Sequence, residues 1–349
     1  HWPLARRILG SGPFRRAAKG HDNLPAMHTR PIDRSDWRDF DNRYHLLSKR
    51  RMEIWIPITI AAAFLQNLRS VLQKRLKDTL STWGVTAARF VFAAPLAALL
   101  LIALLASTSQ SVPPLNPTFI TSGILGGLAQ ILATGLLIPL FSYKNFTVAT
   151  AFTKTEPVQT ALFGIVLLGD RLSLPVALAI LVSLVGVILI SIPADAVGRR
   201  NFLDRKALIG IASGGLFGLS AVAYRGTSLS LVEGDVFLRA VTTLAFVTAF
   251  QALAVLAYLR LREPGQAGRL LHSWRSAGWV GLVGMLGSLA WFTAFTLQNA
   301  AHVRALGQIE VVFMIGASIL FFKEKVSARE IIGVLLVSLG ILGLVLYAR

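Results

Sequence analysis

Apolar runs long enough to cross a lipid bilayer follow one another from residue 52 to the end of the sequence, separated by short loops. A helix of about 20 mainly apolar residues crosses a hydrocarbon core of about 30 Å. We therefore predict ten membrane-spanning helices in an all-α integral membrane protein. Their ranges are 54–73, 83–105, 118–140, 147–168, 174–192, 206–229, 236–259, 276–298, 304–322 and 330–347.

The composition agrees with a membrane protein. Charged residues make up only 15% of the chain and hydrophobic residues 54%, whereas a soluble domain carries about 25% charged residues. The formal net charge is +18, but the basic residues lie mostly in short loops between apolar runs, where membrane topology explains them. We therefore expect the lipid bilayer, and not nucleic acid, as the partner of this chain.

The first 51 residues form a separate segment that is rich in Pro, Arg and Asp and lacks helical or strand periodicity. It has no apolar stretch of the kind found in signal peptides. We favour Met52 as the native start of the chain. The alternative is a basic arm at the membrane surface, and we expect disorder in residues 1–51 under either interpretation.

A repeat with an offset of 154 residues runs through the remainder of the chain. The matched pairs are Glu156 with Glu310, Asp170 with Glu324, Ser173 with Ser327 and Gly186 with Gly340. A nearby offset pairs Arg89 with Arg239. The sequence thus predicts two five-helix repeats, residues 52–195 and 196–349, and an odd number of helices in each repeat inverts the second copy relative to the first.

The basic residues predict the orientation of these repeats. The loops on one predicted side hold 15 Lys and Arg residues, and the other side holds 3, namely Arg171, Arg304 and Arg349. Because cytoplasmic loops carry an excess of Lys and Arg, the 15 residues are predicted to face the cytoplasm. We expect a multi-pass protein of the inner (cell) membrane.

Two segments at equivalent positions of the repeats share one pattern. The first, residues 153–190, contains TKTEP followed by the corner GDR, and the second, residues 307–346, contains GQIEV followed by KEK. They resemble the end of an EamA-like unit of the drug/metabolite transporter superfamily, which has a Pro-containing helix, a Gly-Glu-Arg corner and a Gly-rich last helix. The resemblance implies a secondary transporter with a central cavity between two halves, usually an exporter of amino acids or other small metabolites.

Glu156 and Glu310 are candidates for substrate binding or ion coupling. Each lies fourteen residues from the following corner, about 21 Å along a helix, which places it well inside the hydrocarbon region. A carboxylate at such a depth is costly unless it is paired or faces water, so such groups commonly line transport pathways. We expect these carboxylates to exchange protons or to pair with cavity cations; the alternative is that an Arg neutralises each one and only locks helices together.

Four further residues complete the set of site candidates. Arg89 and Arg239 could bind an anionic substrate group, or could instead reach the membrane interface or pair with a glutamate. Lys154 is either a second cavity charge or a packed partner of another helix, and Trp291 either walls the cavity or packs in the core. Arg69 is expected to be an interfacial anchor.

Enzymatic motifs are absent from the sequence: it has no nucleotide-binding P-loop, metalloprotease motif or nucleophile elbow. We predict no catalytic residue, no cofactor and no metal site. The function predicted is secondary active export of small metabolites such as amino acids, by alternating access with proton coupling or exchange. The alternative is a lipid or lipid-linked sugar flippase, and the protein is expected to be a monomer or a homodimer.

Overall fold

A computed structural model describes residues 34–108, 110–140, 152–191, 205–313 and 327–347. The chain forms two compact units, His1–Lys49 and Arg50–Arg349. The described residues form helices joined by short connections and include no β-strand. The helices are α1 Arg34–Leu76, α2 Thr82–Val91, α3 Ala93–Ser107, α4 Pro117–Leu140, α5 Glu156–Leu168, α6 Leu174–Ser191, α7 Arg205–Ser230, α8 Val236–Arg262, α9 Gln266–His272, α10 Trp274–Leu297, α11 Ala300–Gly307 and α12 Ala328–Tyr347.

Seven helical stretches among the described residues are long and apolar enough to cross a membrane, which confirms the all-α membrane class. They are Ile54–Leu76, Thr82–Ser107, Pro117–Leu140, Ala207–Ser230, Val236–Arg262, Trp274–Leu297 and Ala328–Tyr347. Each one coincides with a predicted helix. The stretch Thr82–Ser107 divides at Phe92 into α2 and α3, because Pro95 has no N–H to continue the helical hydrogen bonds of the preceding turn.

Residues 34–51 are helical as part of α1, which differs from the disorder expected for the N-terminal segment. These residues include no Gly or Pro, the two residue types that most disfavour a helix interior. Residues 1–33 lie outside the described part of the chain.

The predicted helix 147–168 is not a regular α-helix throughout its described part. This part begins with a 3₁₀ turn at Phe152–Thr155, and the regular α-helix α5 starts only at Glu156. Pro157 fits there, because the first turn of a helix does not use its N–H groups. Residues 147–151 lie outside the described residues.

The predicted start at residue 304 is wrong, because α11 already begins at Ala300. The side chain of Asn299 accepts a hydrogen bond from the N–H of Ala301 at 2.8 Å and caps this helix. A turn at Gln308 then separates α11 from a helical stretch at residues 309–313, the last described residues of this region. Arg304 therefore lies inside a helix and not at its start.

Helices α6 and α12 pack at the distance that glycine permits. A Cβ atom at Gly186 would lie 2.6 Å from the carbonyl oxygen of Gly333 and 2.7 Å from the nitrogen of Val337. A Cβ atom at Gly340 would lie 2.7 Å from the carbonyl oxygen of Ala179. The two helices run antiparallel, because Gly186, towards the end of α6, faces Gly333 near the start of α12, whereas Gly340, further along α12, faces Ala179 near the start of α6.

Glycines of α7 hold the start of α5 in place. A Cβ at Gly214 would lie 2.7 Å from the carbonyl oxygen of Thr153, and one at Gly218 would lie 2.7 Å from the hydroxyl oxygen of Thr160. The G-x-x-x-G spacing of α7 predicts such close packing. Its consequence for function is that α7 fixes the helix start that carries Glu156.

Candidate functional site

Both candidate carboxylates lie next to an interruption in a helix. Glu156 is the first residue of α5, directly after the 3₁₀ turn, and Glu310 follows the turn at Gln308 by two residues. Interrupted helices at corresponding positions of two repeats often mark the binding sites of transporters. The interruptions therefore place the two carboxylates where irregular backbone lines a polar interior.

Each carboxylate pairs with a cation from the other repeat. The Glu156 carboxylate lies 2.8 Å from Nε of Arg304, and Lys154 forms an ion pair with Glu310. The first pair is a close charge contact without the alignment of a hydrogen bond, because neither of its two atoms has a hydrogen-bond partner. Glu310 also accepts a hydrogen bond from the Gln66 amide at 3.3 Å.

The two ion pairs border a single small cavity. Its empty space is about 280 Å³, including the part open to its surroundings. Both repeats contribute to its wall. The lining residues are Gln66, Lys154, Glu156, Pro157, Trp291, Arg304, Gly307, Gln308 and Glu310.

Aromatic rings form one wall around Arg304. Its guanidinium carbon lies 4.4 Å from the ring centre of Trp291 and 5.2 Å from that of Phe295. The two rings stack with centres 5.7 Å apart. A cation over an aromatic face is stabilised by the ring quadrupole, so Trp291 positions Arg304 for its contact with Glu156.

A direct contact joins equivalent positions of the two repeats beside the cavity. The amide of Gln308 donates a hydrogen bond to the main-chain carbonyl of Lys154 at 3.0 Å. These residues are 154 positions apart, the offset of the repeat. The Gln308 side chain also accepts a hydrogen bond from the Ser183 hydroxyl at 3.0 Å, which connects the turn to α6.

The structure brings four of the six sequence candidates together: Glu156, Glu310, Lys154 and Trp291 all line the cavity. The other two lie outside its lining. Arg89 is buried in α2 and donates a hydrogen bond to the Thr134 hydroxyl at 3.0 Å. Arg239, near the start of α8, donates to the carbonyl of Leu231 at 3.4 Å.

Sequence reasoning missed Arg304 and misplaced Arg69. Arg304 is absent from the candidates because it stands at the start of the predicted helix 304–322 and is counted with the basic residues of the outer side. The capping residue Asn299 is the sequence signal that moves the helix start and places this Arg inside. Arg69 is only 4% exposed, so its prediction as an interfacial anchor is wrong.

The fold and the site define a multi-pass helical membrane protein with a charged cavity at the junction of two repeats. The EamA-like transporter family matches residues 53–192 and again residues 207–346, and the chain belongs to this family, whose members are membrane transporters. The two matches begin and end 154 residues apart, which confirms the predicted duplication and its offset. The match is consistent with the drug/metabolite transporter superfamily.

Comparison with solved structures supports the fold alone. One of the matching structures, described only as a crystal structure of a protein, superposes with a TM-score of 0.63 and is 17% identical in sequence. The match covers 84% of this chain and 97% of the other. No curated protein matches this sequence.

Proposed function

We propose that this chain is a secondary active transporter of the inner (cell) membrane that exports small metabolites such as amino acids. It works by alternating access, as a monomer or a homodimer, with Glu156 and Glu310 coupling transport to protons or to exchange. The observation that carries this proposal is the crossed pairing of these carboxylates with Arg304 and Lys154 beside the cavity. No catalytic chemistry is assigned to any of these residues.

Ten spans in two inverted repeats form the architecture of this proposal. The support comes from α6 and α12, which are equivalent helices in the two repeats. Gly186 of the first repeat faces Gly333 and Val337 of the second. Its equivalent in the second repeat, Gly340, faces Ala179 and Ser183, which are the first-repeat equivalents of Gly333 and Val337. Equivalent helices that pack antiparallel and exchange contacts in this way are what an inverted, two-fold relation requires.

Crossed ion pairs suit alternating access because each pair links one repeat to the other. A carboxylate that takes up a proton loses its negative charge and no longer holds its cation. Arg304 or Lys154 then becomes available to an anionic group of a substrate, and the contact between the repeats weakens. Breaking a buried ion pair by removing one partner costs about 3–5 kcal/mol, so a proton or a substrate anion that replaces the partner can strongly bias which state is populated.

The distribution of basic residues between the two predicted sides supports the proposed orientation in the membrane. With Arg304 inside α11, the predicted outer side retains only Arg171 and Arg349 of the three basic residues counted there, against 15 on the other side. The positive-inside rule then favours a cytoplasmic location for the basic loops more strongly than before.

An untargeted comparison of metabolites in the medium tests this function. Cells produce the wild-type protein, Glu156→Gln, Glu310→Gln, the double variant, or the control Glu233→Gln, which changes an exposed carboxylate in the loop before α8. We expect at least one metabolite to accumulate outside with the wild type and the control, and much less with the three site variants. Equal protein levels in the membrane fraction are required for the comparison.

The pH dependence tests the coupling separately. Export of the identified compound, measured in vesicles with an imposed pH gradient, should respond to the gradient in the wild type and lose that response in Glu156→Gln. A variant that transports as fast as the wild type with an unchanged pH dependence would refute the proton role. The ion pairs would then only lock helices together.

A further inference from the structure

Two buried arginines lie outside the ion pairs. Arg69 in α1 and Arg89 in α2 are each only 4% exposed. Arg69 lies seven residues before the end of α1, and Arg89 lies seven residues after the start of α2. Each is therefore about 10 Å along its helix from the short connection at residues 77–81, so the two residues lie at a similar depth.

Gly284 of α10 shows how close these two side chains are. The position that a Cβ would occupy at this glycine is 3.5 Å from Cδ of Arg69 and 3.5 Å from Cγ of Arg89. These two carbons are thus at most 7.0 Å apart. The two guanidinium charges repel each other at this separation, so they lie close enough for one small anion to interact with both.

The described residues offer no carboxylate within ion-pair distance of either arginine. The Nε atom of each is buried and has no hydrogen-bond partner among them. Arg89 has the Thr134 hydroxyl and the face of Phe90 as its contacts, with the ring centre 5.1 Å away. Neither contact supplies a negative charge.

The charges of this region do not balance within the described part of the chain. Arg69, Arg89 and Arg304 are buried, and Lys154 is half-buried. The carboxylates are Glu156, which is paired with Arg304, and Glu310, which is paired with Lys154. Arg304 lies close enough to repel both unpaired arginines. Two positive charges remain in a region shielded from water, where like charges without a counter-ion are strongly unfavourable.

We propose that Arg69 and Arg89 form a binding site for an anionic oxygen group, a carboxylate or a phosphate. The planar guanidinium group binds such groups through two parallel hydrogen bonds. This inference rests on the transport function proposed above. Because two arginine charges are unpaired, it narrows the substrate class to small metabolites with two negative charges, such as dicarboxylates or phosphate monoesters. The same chemistry is present in the headgroup of an anionic lipid, and the experiment separates these two sources.

Thermal unfolding of the full chain in lipid nanodiscs tests the site. The ligands are inorganic phosphate and succinate, with chloride at equal ionic strength as the reference. In nanodiscs of neutral phosphatidylcholine, we expect both ligands to raise the unfolding temperature of the wild type in a dose-dependent manner. Arg69→Gln and Arg89→Gln should each weaken the apparent affinity at least about tenfold, because each removes a charge-assisted contact.

Two comparisons separate loss of binding from misfolding. Without added anion, Arg69→Gln and Arg89→Gln should be as stable as the wild type or more stable, because each relieves the repulsion between two buried cations. Arg89→Lys should retain part of the response, since it retains the charge and loses the planar fork. Arg275→Gln, which changes an exposed residue at the start of α10, should respond like the wild type.

Nanodiscs that contain anionic phosphatidylglycerol identify the source of the anion. If they raise the wild-type stability through Arg69 and Arg89, and phosphate adds nothing further, the ligand is a lipid headgroup. No response to phosphate, succinate or anionic lipid beyond that to chloride would overturn the site, as would variants that respond fully. Binding without any detectable export would retain the site and remove the transport function.

Discussion

The packing of α6 against α12 gives a sharp prediction for stability. In Gly186→Ala the new Cβ would lie 2.6 Å and 2.7 Å from two backbone atoms of α12, and in Gly340→Ala it would lie 2.7 Å from a backbone oxygen of α6. Backbone atoms cannot rotate away, so the helices must separate. A separation of about 0.5–1 Å already forfeits a quarter to a half of the dispersion energy of a contact.

The expected magnitude follows from a matched control on the same helix. A Cβ at Gly343 would meet only the Ala179 Cβ, at an ordinary distance of 3.4 Å. Each Gly→Ala change in a helix gains up to about 1 kcal/mol of helix propensity, which cancels when the variants are compared with one another. Gly186→Ala and Gly340→Ala should therefore be less stable than Gly343→Ala by the overpacking cost alone, about 1–3 kcal/mol.

Thermal unfolding in detergent measures this difference, and a shift of a few degrees is expected, at about 2–4 °C per kcal/mol for a chain of this order of size. The double variant Gly186→Ala/Gly340→Ala should cost less than the sum of the single variants, because one outward movement relieves both clashes. If Gly186→Ala were as stable as Gly343→Ala, the close antiparallel packing would be wrong. If only one of Gly186→Ala and Gly340→Ala lowered the unfolding temperature, the two-fold relation between the repeats would be wrong.

Two further predictions concern the ends of helices and the helix that carries Glu156. The N–H of Leu238 and the side chain of Gln110 donate to the Asp235 carboxylate and hold its pKa below the ordinary value; Asp235→Ala should therefore lower stability by about 0.5–2 kcal/mol at neutral pH. A carboxylate whose pKa is lowered by folding stabilises the fold at pH values above its pKa in the unfolded chain, and this stabilisation is lost as the pH falls through its pKa in the folded protein. The stability difference between Asp235→Ala and the wild type should therefore shrink below about pH 4, as measured by unfolding at a series of pH values. Gly214→Ala should lower the unfolding temperature, since its Cβ would lie 2.7 Å from the Thr153 carbonyl oxygen, whereas Gly278→Ala, with no neighbour within 4 Å, should not; equal stability of the two variants would contradict the packing of α7 on α5.

The fold could be predicted from the sequence wherever one physical requirement dominates. A membrane-spanning helix must be apolar over its length, and the helices around residues 118–140 and 236–259 were placed to within three residues at either end for this reason. The 3₁₀ turn before Glu156 and the helix start at Ala300 were not predicted. They depend on Pro157, which favours a helix start, and on Asn299, which caps one. Each is a single residue, whereas hydropathy is averaged over a whole span and dominates the prediction of helix ranges.

The candidate site could be predicted in part for a related reason. A carboxylate deep in an apolar run is conspicuous, so Glu156 and Glu310 could be identified without a structure. The same argument fails for a cation near the end of a predicted helix, because an Arg there is commonly interfacial. The burial of Arg304 depends on the packing of α11 against its neighbours, and the closeness of Arg69 to Arg89 depends on the packing of α1 and α2 around Gly284. Hydropathy reports neither.

The two repeats contribute their cations from different positions, and this difference bears on the proposed mechanism. The first repeat has Lys154 where the second has Gln308, and the second has Arg304 where the first has Thr150. Under the proposed two-fold relation, a strictly symmetric site would have to open and close its two ion pairs alike. One pair has a lysine and the other has an arginine that contacts two aromatic rings, so the pairs differ in the shape of the cation and in the side chains that support it. Under the proposed mechanism, one pair can then yield to a proton or a substrate while the other persists, so the two sides of the membrane need not open at the same time.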